Sequence, residues 1–479
     1  MHTPSTALNS DKMKKASSML VIAMAVSGMR FSISRITKLD EAHHMRAYEG
    51  RSLEFRCREQ YKARNEFCKK AGNEHNVSMR LERLFKGVIP FSHFDRVYMD
   101  YAGATPVLEE ALEAMRTAVL VGNPGALHKE GEETRESISS SREAIACAFG
   151  VKAERIFFTS GGTESNNLAI IGYFRRLKSI GVDTREAHWV AGSMEHPSVL
   201  ECFKYIEMNG GRVTYLSPDG NGIYGSSALA NALLPETVFV SLGWANGEIG
   251  TVQPVHSLAR AAHARSGKRR IIFHSDAGQA PLYLSRQFNG LGADIITLDS
   301  GKLYGPRGIG ALYIAEDVEL EPLILGGSQE KGLRAGTENT ALAAGFAASL
   351  SSVVARRSKE AKRLFALKER LRVLLEGIGA VVNGSRDLSL PHILNVSIPE
   401  IDSEYFVLSL DHKGIAAATK SACREGEDTS HVVASLGKDK WRARNTIRLS
   451  LGIGTTARDV ERVAKACEEI YRSMRARGQ

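Results

Sequence analysis

Lys302 stands in Leu298-Asp299-Ser300-Gly301-Lys302-Leu303-Tyr304-Gly305-Pro306-Arg307-Gly308, a glycine-rich turn that ends the apolar run Ala293 to Leu298. Such a run has the length and content of a buried strand, and open α/β sheets place ligands at the C-terminal ends of their strands. An ammonium at the edge of a buried sheet is costly unless it is paired or converted, and imine formation with an aldehyde cofactor is one such conversion. Taken singly, a lysine on a turn is a side chain that snorkels to solvent. Its company decides the reading.

Asp276 leaves the run Ile271-Ile272-Phe273-His274 at the same expected sheet edge, followed by Ala277, Gly278 and Gln279. A carboxylate facing a pyridine nitrogen keeps the ring protonated, and the protonated ring is the stronger sink for a carbanion at a substrate's α-carbon. Alone, an aspartate at a strand end reads as a helix cap. Thr159-Ser160-Gly161-Gly162-Thr163-Glu164-Ser165-Asn166-Asn167 follows another strand and opens a helix, where free amides and the helix dipole favour a phosphate. His196, in Met194-Glu195-His196-Pro197, is placed to lie against a flat ring, although an isolated histidine there is a cap or a solvated residue. Cys423 opens the polar stretch Ser421-Ala422-Cys423-Arg424-Glu425-Gly426-Glu427-Asp428, an accessible thiol that becomes a nucleophile if its thiolate is stabilised. Arg448, in a strand-like segment 25 positions later, has the fork to clamp a substrate carboxylate. An amino-acid substrate follows.

The elements that must hold these residues alternate between strand and helix, the pattern of an α/β protein with a mainly parallel sheet. Seven strands are expected: 155–158, 188–191, 213–216, 238–242, 270–274, 295–298 and 310–314, with crossover helices such as 164–178 and 197–209. A long helical stretch over 339–378, a strand at 393–398, a helix at 403–411 and a closing helix from Thr456 form a smaller α+β domain. The expected division is a basic extension at 1–92, disordered or loosely helical, a large cofactor-binding domain at 93–335, and a small C-terminal domain at 336–479 carrying the Cys423 loop.

With 479 residues, 43% hydrophobic and 24% charged, the chain has the composition of an enzyme-sized globular protein. Six cysteines (Cys57, Cys68, Cys147, Cys202, Cys423 and Cys467) show no CxxC pair or zinc-type spacing, so neither a disulfide framework nor a metal site is indicated. Residues 1–90 hold 17 Lys and Arg against 9 Asp and Glu, which accounts for nearly all of the net charge of +9. The rest is close to neutral, which argues against nucleic acid as a partner. No apolar run reaches the length of a membrane span. The nearest, Met19 to Gly28, follows Lys12, Lys14 and Lys15 in the outline of a secretion signal. An organellar presequence and a start at Met79 are the competing readings. A cytoplasmic location is expected, with targeting by the extension left open.

The ordered set Gly122-Asn123-Pro124, Thr159 to Asn167, Glu195-His196, Asn246 to Gly250, Asp276 to Gln279, Lys302 to Gly308, Arg334 to Asn339, Ser421-Ala422-Cys423 and Arg448 to Gly452 resembles the cysteine desulfurases of the class V aminotransferase family. The resemblance covers about four-fifths of the chain. It implies a fold type I enzyme using pyridoxal 5'-phosphate, with a seven-stranded sheet. Lys302 would hold the cofactor, Asp276 would pair with its ring nitrogen, Gln279 would bond its phenolic oxygen, Asn246 would be a further cofactor-binding residue, and His196 would stack on the ring. Gly162, Thr163 and Ser300 would serve the phosphate, and Thr337 would reach the phosphate in the neighbouring subunit of a homodimer. Arg448 and Asn123 would hold L-cysteine. Cys423 would attack the substrate sulfur, become a persulfide, release alanine and pass sulfur to an acceptor protein for iron–sulfur assembly or thiolation. No resident metal is implied, and Cys423 is a transient cluster ligand at most.

Two departures stand out. Where the family shows Ser-Gly-His-Lys, this chain has Asp299-Ser300-Gly301-Lys302, and an aspartate facing a phosphate would repel it. Either Asp299 points away and Ser300 substitutes, or Thr163 and Thr337 carry the phosphate. Asn246-Gly247-Glu248 replaces the usual Asn-Asn-Glu, leaving Gly247 where an asparagine touches the cofactor. Weaker cofactor binding is expected. The alternatives are a selenocysteine lyase, a class V transaminase, which has no use for Cys423, and a non-catalytic scaffold that keeps the fold.

Overall fold

The computed structural model describes residues 96–118, 121–267, 269–285, 287–419 and 429–477. The extension at 1–92 and the Cys423 loop lie outside the described residues.

In chain order, β1 (Val97–Tyr98), α1 (Glu109–Thr117) and α2 (Lys129–Phe149) lead into β2 (Ile156–Thr159), α3 (Gly162–Ser179), β3 (His188–Gly192), α4 (Pro197–Met208) and β4 (Arg212–Leu216). There follow α5 (Ser226–Ala232), β5 (Thr237–Ser241), α6 (Val255–Ala264), β6 (Ile272–Asp276), β7 (Ile295–Asp299) and β8 (Gly310–Ile314). Strands β2 to β8 form one sheet in the order β2-β8-β7-β6-β5-β3-β4. Only the two pairings of β8, with β2 and β7, are antiparallel. The remaining pairs are parallel. All seven expected strands are therefore present in a doubly covered α/β sheet.

Except along the edge strand β4, both faces of this sheet are buried, and strand alternation assigns each side chain to one layer. Trp189 and Ala191 of β3 join Phe239, Ile272, Ile295 and Leu312 in one core. Val190 packs on the opposite side with Val240, Phe273 and Ile296. Trp189 is fully buried and meets Tyr173 edge-on at 6.0 Å, so truncating it to alanine costs about 3–5 kcal/mol.

The second region begins with the long helix α7 (Thr340–Glu376), capped by Asn339, whose side chain accepts from Leu342 N–H at 3.0 Å. Strands β9 (Val381–Val382) and β10 (Ile393–Ser397) lead to α8 (Ser403–His412), β11 (Ile415–Ala416), α9 (His431–Ala434), α10 (Lys440–Arg444), β12 (Thr446–Ser450) and α11 (Ala457–Arg477). β12, β10 and β9 form an antiparallel sheet, and β1 pairs in parallel with β11. Among the described residues no helix is long and apolar enough to cross a membrane.

One strand differs usefully from the sequence reading. β6 runs Ile272–Asp276, two residues later than expected, because Arg270 turns outward to pair with Asp294 and Asp317. Asp276 is thereby the last residue of the strand.

Candidate active site

The C-terminal ends of β2, β3, β5, β6 and β7 converge on a cavity of about 210 Å³. Each strand delivers a short polar segment. β2 gives Gly162 and Thr163, β3 gives Glu195 and His196, β5 gives Asn246 and Gly247, β6 gives Asp276 and Gln279, and β7 gives Asp299 and Lys302. Arg448 of β12 closes the wall from the smaller sheet.

Lys302 ends a short 3-10 turn after β7, and its Nζ donates to Ala102 O at 3.0 Å and to Gly103 O. Asp276 is held at both oxygens. Oδ2 accepts from Asn166 Nδ2 at 2.8 Å and Oδ1 from Gly278 N–H at 2.9 Å. Asn166 also donates to Ser198 Oγ at 2.9 Å, so α3 and α4 together fix the carboxylate. Gln279 donates to Ala102 O at 2.8 Å while its buried Oε1 has no partner. Arg448 donates to Gly247 O at 2.9 Å and to Asp100 Oδ1 at 2.8 Å, leaving its buried Nε unpartnered.

The approach of β8 to the α3 turn demands glycine. A Cβ on Gly310 would lie 2.7 Å from the Gly161 carbonyl carbon. His196 caps α4, with Nδ1 accepting from Ser198 N–H at 3.2 Å and Pro197 following at the first helical position. His196 lines the cavity wall.

Burial raises three acidic groups of this wall, Glu195, Tyr224 and Asp299. Burial pushes Glu195 up to about 8, against the bond that it accepts from Gly243 N–H, with the neighbouring Asp276 adding to the rise. Burial also holds His274, behind Asp276 in β6, down to about 4. His274 is bonded on both sides, to Ser241 Oγ at 2.8 Å and Thr297 Oγ1 at 3.1 Å.

The structure brings together Gly162, Thr163, His196, Asn246, Asp276, Gln279, Lys302 and Arg448. Asn246 is spent locally, donating to Met194 O at 3.0 Å and accepting from Glu248 N–H and Ile249 N–H. Three expected residues stand apart from the cavity lining. Asn123 is exposed and caps its own turn through Gly125 N–H at 2.9 Å. Thr337 is exposed. Ser300 is fully buried behind the turn, with an unpartnered Oγ against Gly305. Of the two arrangements considered for the phosphate end, the one with Asp299 turned away and Ser300 in its place does not hold, because Asp299 lines the cavity. The residues that local sequence could not single out are Asn166, Glu195, Tyr224 and His431. The first two sit inside motifs that were recognised; the other two reach the wall from distant segments.

Among the described residues no thiol lines the cavity. Cys202 and Cys467 are buried, with their acidities pushed to about 12 by burial, and Cys147 is exposed on α2. No described group of His, Cys, Asp and Glu is arranged for a metal ion.

The ring half of this site fits a protonated pyridine. It holds a fixed carboxylate, an amine on the turn that follows the adjacent strand, and buried polar atoms on Gln279 and Arg448 with no protein partner.

The Aminotransferase class-V family model matches residues 97–463. Cysteine desulfurase IscS of Dictyoglomus turgidum is 37% identical over 384 residues, covering 79% of this chain and 95% of that protein. Among solved structures, a NifS-like protein at 32% identity superposes with a TM-score of 0.72, covering 78% of this chain and 99% of the other. SspA in complex with cysteine, at 34% identity, gives a TM-score of 0.64 over 74% of this chain and 98% of its own.

Proposed function

Because the chain belongs to the class V aminotransferase family, among its cysteine desulfurases, we propose that it takes sulfur from L-cysteine with bound pyridoxal 5'-phosphate, releases L-alanine and hands the sulfur on as a Cys423 persulfide. The observation that carries this reading is the pairing of Lys302 and Asp276 at the ends of the neighbouring parallel strands β7 and β6, facing one cavity.

Lys302 would anchor the cofactor and carry protons to and from the substrate carbon, from a position fixed by the Ala102 and Gly103 carbonyls. Asp276 would keep the ring nitrogen protonated, its orientation set by Asn166 and Gly278. Gln279 would meet the ring's phenolic oxygen, and His196 would cover the ring face. When bound, the cofactor supplies an electron sink next to the substrate's α-carbon. Arg448 would take the substrate carboxylate in place of Asp100.

Cys423 lies outside the described residues, yet its flanks meet the site. Ala418 N–H donates to Arg448 O at 3.2 Å, and His431, eight positions after Cys423, lines the cavity. A Cys423 thiolate would attack the substrate sulfur, forming an S–S bond as the C–S bond breaks. The electron pair stays with the carbon fragment, which takes a proton and leaves as alanine. A homodimer accounts for Thr337, which is exposed away from its own cavity.

The test is a paired assay of alanine and of sulfide released by a thiol reductant. Equal yields from the wild type and neither product from Cys423→Ala support a desulfurase. A Cys423→Ala variant that keeps full turnover of an amino acid would support the transaminase reading instead.

A further inference from the structure

β7 ends on Asp299, whose carboxylate accepts from Gly301 N–H at 2.9 Å and lies close to Gly162. Gly162 is the first residue of α3, and a Cβ there would lie 3.1 Å from Asp299 Oδ2. The carboxylate therefore lies beside the first residue of an 18-residue helix, where dipole and unpaired N–H groups favour an anion. Gly162, Thr163 and Asp299 share the cavity wall with Lys302.

A cofactor's phosphate and this carboxylate compete for one set of donors. Two negative charges within a few ångströms repel strongly where water is scarce. Burial raises Asp299 above the usual carboxylate range; of the other charged groups facing it, Lys302 opposes that rise and Asp276 adds to it. Glu164, further into α3, is engaged with Ser160 N–H and Arg334. Ser300 offers no replacement donor, since its hydroxyl is buried away from the cavity.

On the footing of the cofactor reading above, we propose that Asp299 is a specificity-determining residue. It fills the anion cradle at the start of α3, so that the pyridine ring, and not the phosphate arm, carries cofactor recognition. The phosphate becomes a weak handle, and pyridoxal lacking it binds nearly as well.

The experiment is equilibrium titration of cofactor-free protein with pyridoxal 5'-phosphate and, separately, with pyridoxal, read by visible absorbance and protein fluorescence. Wild type, Asp299→Ser, the near-isosteric Asp299→Asn and Lys302→Ala are compared, with melting curves to establish folding. In wild type the two compounds should bind within about tenfold of each other, and removing the charge should tighten pyridoxal 5'-phosphate at least about tenfold, a conservative share of what a like charge exerts at close range. Pyridoxal affinity should stay unchanged. Wild-type preference for the phosphorylated compound that neither substitution increases would overturn the proposal while leaving the cofactor reading intact, provided the visible band depends on Lys302. If neither compound gives a Lys302-dependent band in wild type or in the Asp299 variants, both the cofactor reading and this inference fail.

Discussion

Arg448 is ion-paired to Asp100 through Nη2 and Oδ1 at 2.8 Å, joining β12 to the segment that follows β1. The guanidinium is nearly inaccessible, so the pair holds a charge that would otherwise be buried alone. On the proposed function, a substrate carboxylate entering the site would exchange for Asp100 at the same fork. Lysine keeps the charge and loses the two-pronged geometry. Arg448→Lys should therefore lower kcat/KM for L-cysteine at least about tenfold, chiefly through KM. Steady-state kinetics decide this, and an unchanged KM would place the carboxylate elsewhere.

Asn166 touches Asp276 directly and links it to Ser198. It is a positioning residue for the carboxylate. Asn166→Ala should weaken cofactor affinity by about tenfold, the value of one lost charge-assisted hydrogen bond, and shift the pH profile of the bound cofactor's visible band. Asn166→Asp places a second carboxylate against Asp276 and should be worse. A variant with unaltered affinity and spectrum would show that Asp276 needs no such support.

Glu195 titrates at about 8 because it is buried, whereas an unfolded glutamate titrates near ~4.3. The folded protein thus holds a proton that the unfolded chain releases between these values. Its folded pKa is raised, so this contribution is complete below about pH 4.3 and is lost as pH climbs through about 8. Glu195→Gln mimics the protonated form and should melt progressively higher than wild type from pH 5 to pH 8.5. A pH-independent difference in Tm would mean that Glu195 is ionised in the fold.

His188 behaves in the opposite sense. Burial depresses it to about 4, and its ring bridges Thr237 Oγ1 at 2.8 Å and Thr214 Oγ1 at 2.9 Å across β5, β3 and β4. Its contribution is present above the unfolded value of about 6.5 and is lost as pH falls through about 4. His188→Gln should be less stable than wild type at pH 7.5 and close to it at pH 4. Parallel Tm curves over that range would contradict the assignment.

The sheet was readable because all its strands but the edge strand β4 are buried on both faces, and continuous runs such as Trp189 to Ala191 and Val238 to Val240 leave no other interpretation at that length. Strand ends were read to within two residues, which was enough to put Asp276 and Lys302 on one edge. The two-residue ladder of β1 and β11 was not readable, since no periodicity exists at that length. Asp299 was legible as a departure but not in direction. Whether it faced the cavity depended on the 3-10 turn that its own side chain caps, a tertiary outcome of its meeting with Gly162. Tyr224 and His431 were invisible for a similar reason, because each reaches the wall from a segment with no chemical signature. Asn123 and Thr337 carry motifs but are exposed, so their place in a motif did not fix where they stand in the fold.

The most direct measurement is borohydride reduction of the protein after incubation with pyridoxal 5'-phosphate, followed by peptide mass spectrometry. The account predicts a pyridoxyl adduct on the peptide containing Lys302, absent from Lys302→Ala. An adduct confined to other lysines, or its persistence in Lys302→Ala, would contradict it.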